Sequence, residues 1–155
     1  MKIYVGFDHR GRAKAYDLME KLVEKGYQVN VPFEDTEGTL DYPDIAHIVC
    51  EKVKKNKENK GVLFCGTGIG MLMAANKEDK IRAVLAQTTG DAYFSRRHED
   101  ANILVFPAGY KDDKHAVKMP RNVLEITETF LSTPFEAGRH IARVNKLNNI
   151  NKQQK

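Results

Sequence analysis

The sequence is poor in cysteine, in long apolar runs and in the features of a secretion signal. Its 155 residues include only two cysteines, Cys50 and Cys65, which lack the C-x-x-C spacing of a metal site. No apolar run approaches the ~18 residues that a membrane-spanning helix requires. The first residues, MKIYVGFDHRG, turn polar at Asp8, before an apolar core of signal-peptide length can form. These absences argue against a disulfide framework and a membrane partner, and they favour a protein of the reducing cytoplasm.

Basic charge is concentrated at the end of the chain. The net charge is +4, yet five basic residues and no acidic ones follow position 138: Arg139, Arg143, Lys146, Lys152 and Lys155. Because aromatic side chains do not alternate with these charges, we expect no nucleic-acid partner. Residues 145–155 also contain too few large apolar side chains to fold alone. We therefore predict one domain over residues 1–144 and a basic, frayed tail over residues 145–155.

Short apolar runs alternate with helical patterns along the chain. Five runs rich in β-branched or aromatic residues predict strands at residues 2–7, 27–33, 61–65, 81–86 and 102–107. Apolar residues at helical spacing form three series between or after them: Ala15, Leu18, Met19 and Leu22; Ile45, Ile48, Val49 and Val53; Val123, Ile126 and Phe130. Strands that are apolar throughout indicate a parallel sheet covered on both faces. The predicted fold is α/β, a single domain with a doubly wound, five-stranded parallel sheet.

The stretch VLFCGTGIGM, residues 62–71, places Cys65 at the end of a predicted strand and glycines at alternate positions after it: Gly66, Gly68 and Gly70. Ligands of parallel sheets bind beyond the carboxyl ends of the strands. Glycines let backbone N–H groups approach an anion or a developing oxyanion, and a thiol beside a helix N-terminus ionises more easily than a free one. Cys65 is therefore a candidate base or nucleophile. From this loop alone, a small buried hydrophobe is an equally good interpretation.

A dinucleotide-binding site is a weaker interpretation of the glycines, and the second cysteine has no predicted chemistry. A dinucleotide-binding fingerprint requires G-x-G-x-x-G, whereas this loop has G-x-G-x-G and no acidic residue clearly follows the next strand. Cys50 shares a helix with Ala46 and Val53, so we predict that it packs in the core without chemistry of its own.

Two polar clusters flank other strands. Asp8 and His9 follow the first strand, and RHED, residues 97–100, precedes the fifth. Each cluster by itself is typical of surface or capping groups. Asp8 and His9 share the carboxyl edge of the sheet with Cys65, whereas His98 falls at the amino end of its strand. His98 therefore reaches the same cleft only if its helix carries it across or a neighbouring subunit supplies it.

Seven separated motifs stand out along the chain: FDHRG (7–11), DYPD (41–44), CGTGIGM (65–71), AANK (74–77), IRA (81–83), RRHEDAN (96–102) and LSTPFEAGRHIARV (131–144). Together and in this order they resemble the ribose-5-phosphate isomerase B family, which includes the subunits of galactose-6-phosphate isomerase. The resemblance covers nearly the whole chain. It implies a flavodoxin-like, Rossmann-like fold with an extended C-terminal helix, and homodimers or homotetramers with active sites at the subunit interface. It also implies aldose–ketose isomerisation of a sugar phosphate without metal or cofactor.

The resemblance implies catalytic roles for several residues. Cys65 would be the base that moves a proton between C2 and C1 through a cis-enediolate, and Thr67 and His98 would open the sugar ring. Some members have serine at the Cys65 position and a glutamate base at the Met71 position, so the pair found here favours the thiolate version. The enediolate oxygen would be stabilised by the amides of Gly66, Gly68 and Gly70.

Substrate-binding roles follow in the same way. Asp8 and His9 would contact sugar hydroxyls, with His9 near the phosphate. Arg139 and Arg143 are four residues apart, hence on one helix face, and would clamp the phosphate. The family usually has asparagine at the position of Glu99, and a carboxylate, unlike an amide, cannot donate a hydrogen bond when ionised.

Other departures also affect the substrate-contacting regions. The chain has AQTT at residues 86–89 where members commonly have Cys-His-Asp-Thr. Residues 107–111, PAGYK, lack the arginine often found after the fifth strand, although Lys111 could supply a charge, and the loop to about Pro120 is longer than usual. The substrate therefore stays open between ribose 5-phosphate and a related pentose or hexose phosphate. A non-catalytic sugar-phosphate-binding or accessory subunit is the alternative.

Overall fold

The structure is a computed structural model, and it describes residues 1–36 and 41–152. Five strands form the main sheet: β1 (Ile3–Phe7), β2 (Val29–Asn30), β3 (Lys60–Cys65), β4 (Ala83–Leu85) and β5 (Ile103–Pro107). Six α-helices accompany them in this part of the chain: α1 (Arg12–Glu24), α2 (Tyr42–Lys54), α3 (Ile69–Asn76), α4 (Thr89–Glu99), α5 (Val123–Ser132) and α6 (Ile141–Asn149). None of these helices is long and apolar enough to cross a membrane.

The main sheet is parallel throughout, with the strand order β2-β1-β3-β5-β4. The predicted flavodoxin-like architecture is confirmed, and its last two strands are exchanged relative to the 2-1-3-4-5 order of flavodoxin itself. This exchange makes β3 and β5 neighbours, with Cys65 opposite Pro107 in the register. Every residue of both strands is buried, as their continuous apolar runs predict.

Helices cover both faces of the sheet, so the doubly wound arrangement is also confirmed. Successive side chains of β3 point to opposite faces: Val62 and Phe64 join the core under α1 and α5, while Leu63 and Cys65 join the core under α2 and α3. Cys50 is fully buried in the second core, as predicted, and burial raises the pKa of its thiol to about 12. Its thiol is therefore protonated at neutral pH.

An antiparallel hairpin follows β5 and was not predicted from the sequence. It pairs β6 (Tyr110–Lys111) with β7 (Ala116–Val117). Its turn is held by Asp112, whose Oδ1 accepts hydrogen bonds from the N–H groups of Lys114 at 2.8 Å and His115 at 2.7 Å. Each of these strands has only two residues, which is too short for the apolar alternation that identifies longer strands.

The C-terminal segment is helical as far as the structure describes it. Residues 145–149 continue α6, and a 3-10 turn spans Ile150–Lys152. Asn148 accepts a hydrogen bond from Arg82 at 2.6 Å, and Asn151 donates one to Asp79 at 3.1 Å. Through these two contacts the segment is held against the rest of the domain, which differs from the frayed tail that composition predicts. The domain boundary at residue 144 stays a prediction.

Candidate active site

The loop after β1 is joined to the end of β3. The backbone N–H of Asp8 donates to the carbonyl of Phe64 at 3.2 Å. Oδ1 of Asp8 accepts from the N–H groups of Arg10 at 3.0 Å and Gly11 at 2.9 Å. This carboxylate therefore holds the turn that precedes α1 through one oxygen, while the exposed His9 stands beside it. The predicted substrate contact of Asp8 would have to coexist with these two hydrogen bonds.

Cys65 lies at the carboxyl end of the central strand, with only 4% of its surface exposed. Its side chain belongs to the same core as the fully buried Met71, on the face of the sheet that α3 covers. The carbonyls of Cys65 and Gly66 accept hydrogen bonds from the N–H groups of Ala108 at 2.8 Å and Gly109 at 3.0 Å. The loops after β3 and β5 are thus fastened together immediately beside the thiol.

An added side chain would meet neighbouring atoms closely at all three glycines of the loop after Cys65. Gly68 has φ +77°, and a Cβ added there would lie 2.5 Å from Cδ1 of Leu85. A Cβ on Gly70 would lie 2.8 Å from the ring of Tyr42. The hydroxyl of Thr67 accepts from the N–H of Ile69 at 3.2 Å, at the beginning of α3. The first N–H groups of a helix have no intrahelical partners, so this loop is suited to an anionic oxygen.

Three side chains outside the predicted site residues close around this loop. Tyr42 packs on Gly70, and Arg10 and Tyr110 pack on Gly66. Tyr42 and Arg10 stand within the motifs DYPD and FDHRG. These motifs identify the two positions but do not predict that their side chains pack on the glycine loop. Tyr110 belongs to the unpredicted hairpin, and no feature of its local sequence indicates that it reaches the glycine loop.

A second group of predicted residues lies at the opposite edge of the sheet. His98 is near the C-terminal end of α4, and its ring stacks on that of His140, with centroids 4.5 Å apart and planes 15° apart. The pKa of His140 is lowered, chiefly by burial and then by the nearby His98 and Arg139. Nε2 of His140 has no hydrogen-bond partner in the part of the chain that the structure describes.

Glu99, Arg139 and Arg143 accompany His98. The side chain of Glu99 is exposed, and its carbonyl accepts from Nε of Arg82 at 2.9 Å. Arg139 belongs to a 3-10 turn, Gly138–His140, and Arg143 to α6, so the two exposed arginines occupy consecutive turns of different helix types.

The predicted site residues therefore form two sets. Asp8, His9, Cys65, Thr67 and the loop glycines meet at the carboxyl edge, whereas the His98 group is at the amino edge. The strand β5 spans the distance between the edges, roughly 13 Å at about 3.3 Å per residue. The helix α4 therefore does not carry His98 across to the edge at which Cys65 lies, which was one of the two routes that the sequence left open.

Two groups of described side chains have donor atoms close enough to hold a metal ion. One comprises His98, Glu136 and His140, and the other His47, Glu51 and Glu78. Glu78 already pairs with His47 at 2.5 Å and with Lys54 at 3.1 Å. Both groups are separate from the loop that contains Cys65, and His98 is their one member among the predicted catalytic residues.

The fold is that of an α/β protein, and Cys65 and the glycine loop lie at the carboxyl edge of its parallel sheet, where such proteins bind their ligands. The chain belongs to the ribose/galactose isomerase family, whose sequence model matches residues 3–147. The predicted enzyme class, a sugar-phosphate isomerase, is thereby confirmed.

Individual relatives agree over almost their full lengths. The chain is 35% identical over 147 residues to a probable ribose-5-phosphate isomerase B of Mycoplasma genitalium, covering 94% of this chain and 92% of the relative. It is 34% identical over 153 residues to ribose-5-phosphate isomerase B of Escherichia coli K12, covering 99% and 98%. The crystal structure of the Mycoplasma genitalium enzyme with bound ribulose 5-phosphate superposes with a TM-score of 0.84 at 32% identity, covering 98% and 97%.

Proposed function

We propose that the protein interconverts the aldose and ketose forms of a phosphorylated sugar, with ribose 5-phosphate and ribulose 5-phosphate as the first pair to test. The observation that carries this proposal is the position of Cys65, at the end of the central strand and beside a glycine loop that opens a helix. The relatives named as ribose-5-phosphate isomerase B support the choice of sugar.

In the proposed reaction, the thiolate of Cys65 takes the proton from C2 of the open-chain aldose. The C2–H bonding electrons form the C1–C2 double bond of a cis-enediolate, and negative charge moves to the oxygen on C1. The amides of Gly66, Gly68 and Gly70 face this charge, which the N-terminus of α3 also favours. A proton then passes from the hydroxyl on C2 to the oxygen on C1, so that the negative charge moves to the C2 oxygen. As that oxygen becomes the ketone carbonyl, the C1–C2 double-bond electrons take the proton back from the thiol at C1, which completes the ketose and regenerates the thiolate.

Ring opening and phosphate binding require groups from the second set. Thr67 comes from the same protomer as Cys65, whereas His98 would come from a neighbouring copy of the chain. Exposed apolar side chains on three helices support a homodimer or homotetramer: Ile69 and Met73 on α3, Phe94 on α4 and Ile141 on α6. The site would then lie at the interface between copies.

The partner's second set would also bind the substrate. Arg139 and Arg143 would clamp the phosphate, together with His9 of the first protomer. Glu99 would accept a hydrogen bond from a sugar hydroxyl, because an ionised carboxylate accepts but does not donate. The position of Glu99 next to His98 in the chain supports a contact near the ring-opening histidine.

Deuterium exchange tests the proposal. The protein is incubated in D2O with ribose 5-phosphate, allose 6-phosphate or galactose 6-phosphate, and deuterium at C1 or C2 is followed by NMR. Cys65→Ala is compared with Cys50→Ala, which removes the other buried thiol. Exchange in the wild type and Cys50→Ala that is lost in Cys65→Ala supports the base.

Two other results would contradict parts of the proposal. Exchange that persists in Cys65→Ala excludes the cysteine base, although the isomerase activity stands. Absence of exchange with every sugar contradicts the proposed reaction, and binding without exchange would then identify a sugar-phosphate-binding subunit.

A further inference from the structure

The side chain of Arg10 is held directly above the residue that follows Cys65. Its guanidinium carbon lies 4.6 Å from the centroid of the Tyr110 ring, in a cation–π contact. A Cβ added to Gly66 would lie 2.9 Å from Cδ of Arg10 and 3.2 Å from Cδ2 of Tyr110. The stacked pair therefore rests on the backbone of Gly66, and only the absence of a side chain there permits it.

Both members of the pair are positioned through their backbones. The N–H of Arg10 donates to Oδ1 of Asp8 at 3.0 Å, which fixes the start of its loop. Tyr110 follows Ala108 and Gly109, whose N–H groups bind the carbonyls of Cys65 and Gly66. The loops after β1, β3 and β5 thus meet at this stack, so little freedom is lost when a ligand arrives.

The cation of Arg10 is uncompensated within residues 1–36 and 41–152. No ion pair or side-chain hydrogen bond in this part of the chain involves its guanidinium, and the residue is exposed. Arg12, two residues later, pairs instead with Asp35 at 2.9 Å. Since no hydrogen bond within these described residues occupies its N–H donors, the guanidinium can offer them to a phosphate or carboxylate oxygen pair.

Lys111 is a basic residue that directly follows Tyr110, but its surroundings differ. It belongs to β6, is exposed and pairs with Ala116 across the hairpin. No contact with Gly66 fixes its position, and an ammonium group on a flexible stem lacks the fork of a guanidinium.

We propose that Arg10, held by Tyr110 over Gly66, is an anion-binding residue that recognises the phosphate of the sugar substrate from the same protomer as Cys65. This inference rests on the proposed function. It names a substrate contact that the predicted site residues do not include. The stack also explains why the hairpin matters to the site, because Tyr110 begins it.

Steady-state kinetics and inhibition by inorganic phosphate test this role. Arg10→Ala should raise KM for the sugar phosphate about 10- to 100-fold, the range for one lost charged hydrogen-bonding group, and should weaken phosphate inhibition similarly. Arg10→Lys should recover part of both effects because it restores the charge without the fork. Arg12→Ala is the matched control and should leave both constants unchanged.

Variants of Tyr110 separate positioning from direct binding. Tyr110→Phe keeps the ring and should retain KM, whereas Tyr110→Leu should raise it. The melting temperature of each variant is recorded, since a structural role alone would lower stability and kcat without a selective change in phosphate inhibition.

The outcomes distinguish this inference from the proposed function. If the wild type isomerises a sugar phosphate and Arg10→Ala has unchanged KM and phosphate inhibition, the role of Arg10 is wrong and the isomerase stands. If the wild type shows no isomerisation, inorganic phosphate is titrated calorimetrically. Binding that is lost in Arg10→Ala then supports the anion site without the reaction, and equal or absent binding in both proteins overturns it.

Discussion

The imidazole rings of His98 and His140 stack face to face, although 41 residues separate them in the chain. His98 belongs to α4 and His140 to the 3-10 turn before α6. Glu136 connects the two segments, since it pairs with Arg97 at 2.9 Å and its Oε2 lies 3.9 Å from Nε2 of His140. The stack therefore fixes the proposed ring-opening histidine against the segment that contains Arg139.

The lowered pKa of His140 predicts a loss of stability on acidification. A free histidine titrates near 6.5, so between that pH and the lowered native pKa the unfolded chain binds more protons than the native protein. The contribution of His140 to the free energy of unfolding should thus be complete above about pH 6.5 and should be lost as the pH falls through this window. Below the native pKa this group causes no further loss. Urea unfolding at a series of pH values measures this dependence.

The variant His140→Phe provides the comparison for this pH dependence. It keeps a stacked ring but removes the titrating group and the buried, unpartnered Nε2. Its free energy of unfolding should therefore decline less between about pH 7 and pH 5 than that of the wild type. Parallel pH profiles for the two proteins would show that His140 does not contribute.

Complementation between inactive variants tests the shared site. Cys65→Ala and His98→Ala should each lose isomerase activity, and mixed subunits should recover about one quarter of it in a randomly assorted dimer, because half the dimers contain one intact site. Co-refolding of the two purified variants followed by an activity assay measures the recovery.

A pair from the same edge is the control for complementation. Cys65→Ala mixed with Thr67→Ala should recover nothing, since both residues come from one protomer in the proposed site. Recovery in this control, or no recovery in the first mixture, would contradict a site assembled from Cys65 and the partner's second set.

Two glycines with positive φ should respond differently to alanine. Gly26 has φ +90° and open space where a Cβ would stand, so Gly26→Ala should cost only the strain of the left-handed backbone, about 1–2 kcal/mol. Gly68→Ala adds overlap with Leu85 and should cost a further 1–3 kcal/mol or so, with reduced turnover. Equal losses of stability and activity would contradict the tight packing of the loop.

Asp100 holds two arginines where α4 ends. Its carboxylate lies 2.8 Å from the buried Arg96 and 3.3 Å from Arg82, and its φ is +49°. Asp100→Ala should destabilise the protein by about 2–3 kcal/mol, because buried charge is left without its partner. Asp100→Asn should cost less, since asparagine tolerates this backbone and still accepts a hydrogen bond. Urea unfolding of the two variants measures both losses of stability. Equal losses would show that neither the hydrogen bond nor the backbone conformation at position 100 matters.

Local sequence was sufficient to place the secondary structure that forms the core. The strands β3 and β5 are buried on both faces, so their apolar runs are continuous and are visible without knowledge of their neighbours. The edge strand β2 is shorter than predicted, with two residues rather than seven. Its length is limited by the two residues that pair with β1 and not by the longer apolar pattern of its side chains. The hairpin after β5 has no such pattern and was missed.

The candidate site divides in the same way. Chain order alone places Cys65 where a strand ends and His98 where another begins, and because parallel strands share their direction, these residues lie at opposite edges of the sheet. The sequence by itself therefore determined the fold class, the cysteine and glycine loop, and the separation of the two sets. Only the tertiary structure decided that β5 lies beside β3, that Tyr110 and Arg10 stack on Gly66, and that His140 covers His98. Burial and hydrogen bonding along one segment leave a local pattern, whereas contacts between distant segments exist only once the chain has packed.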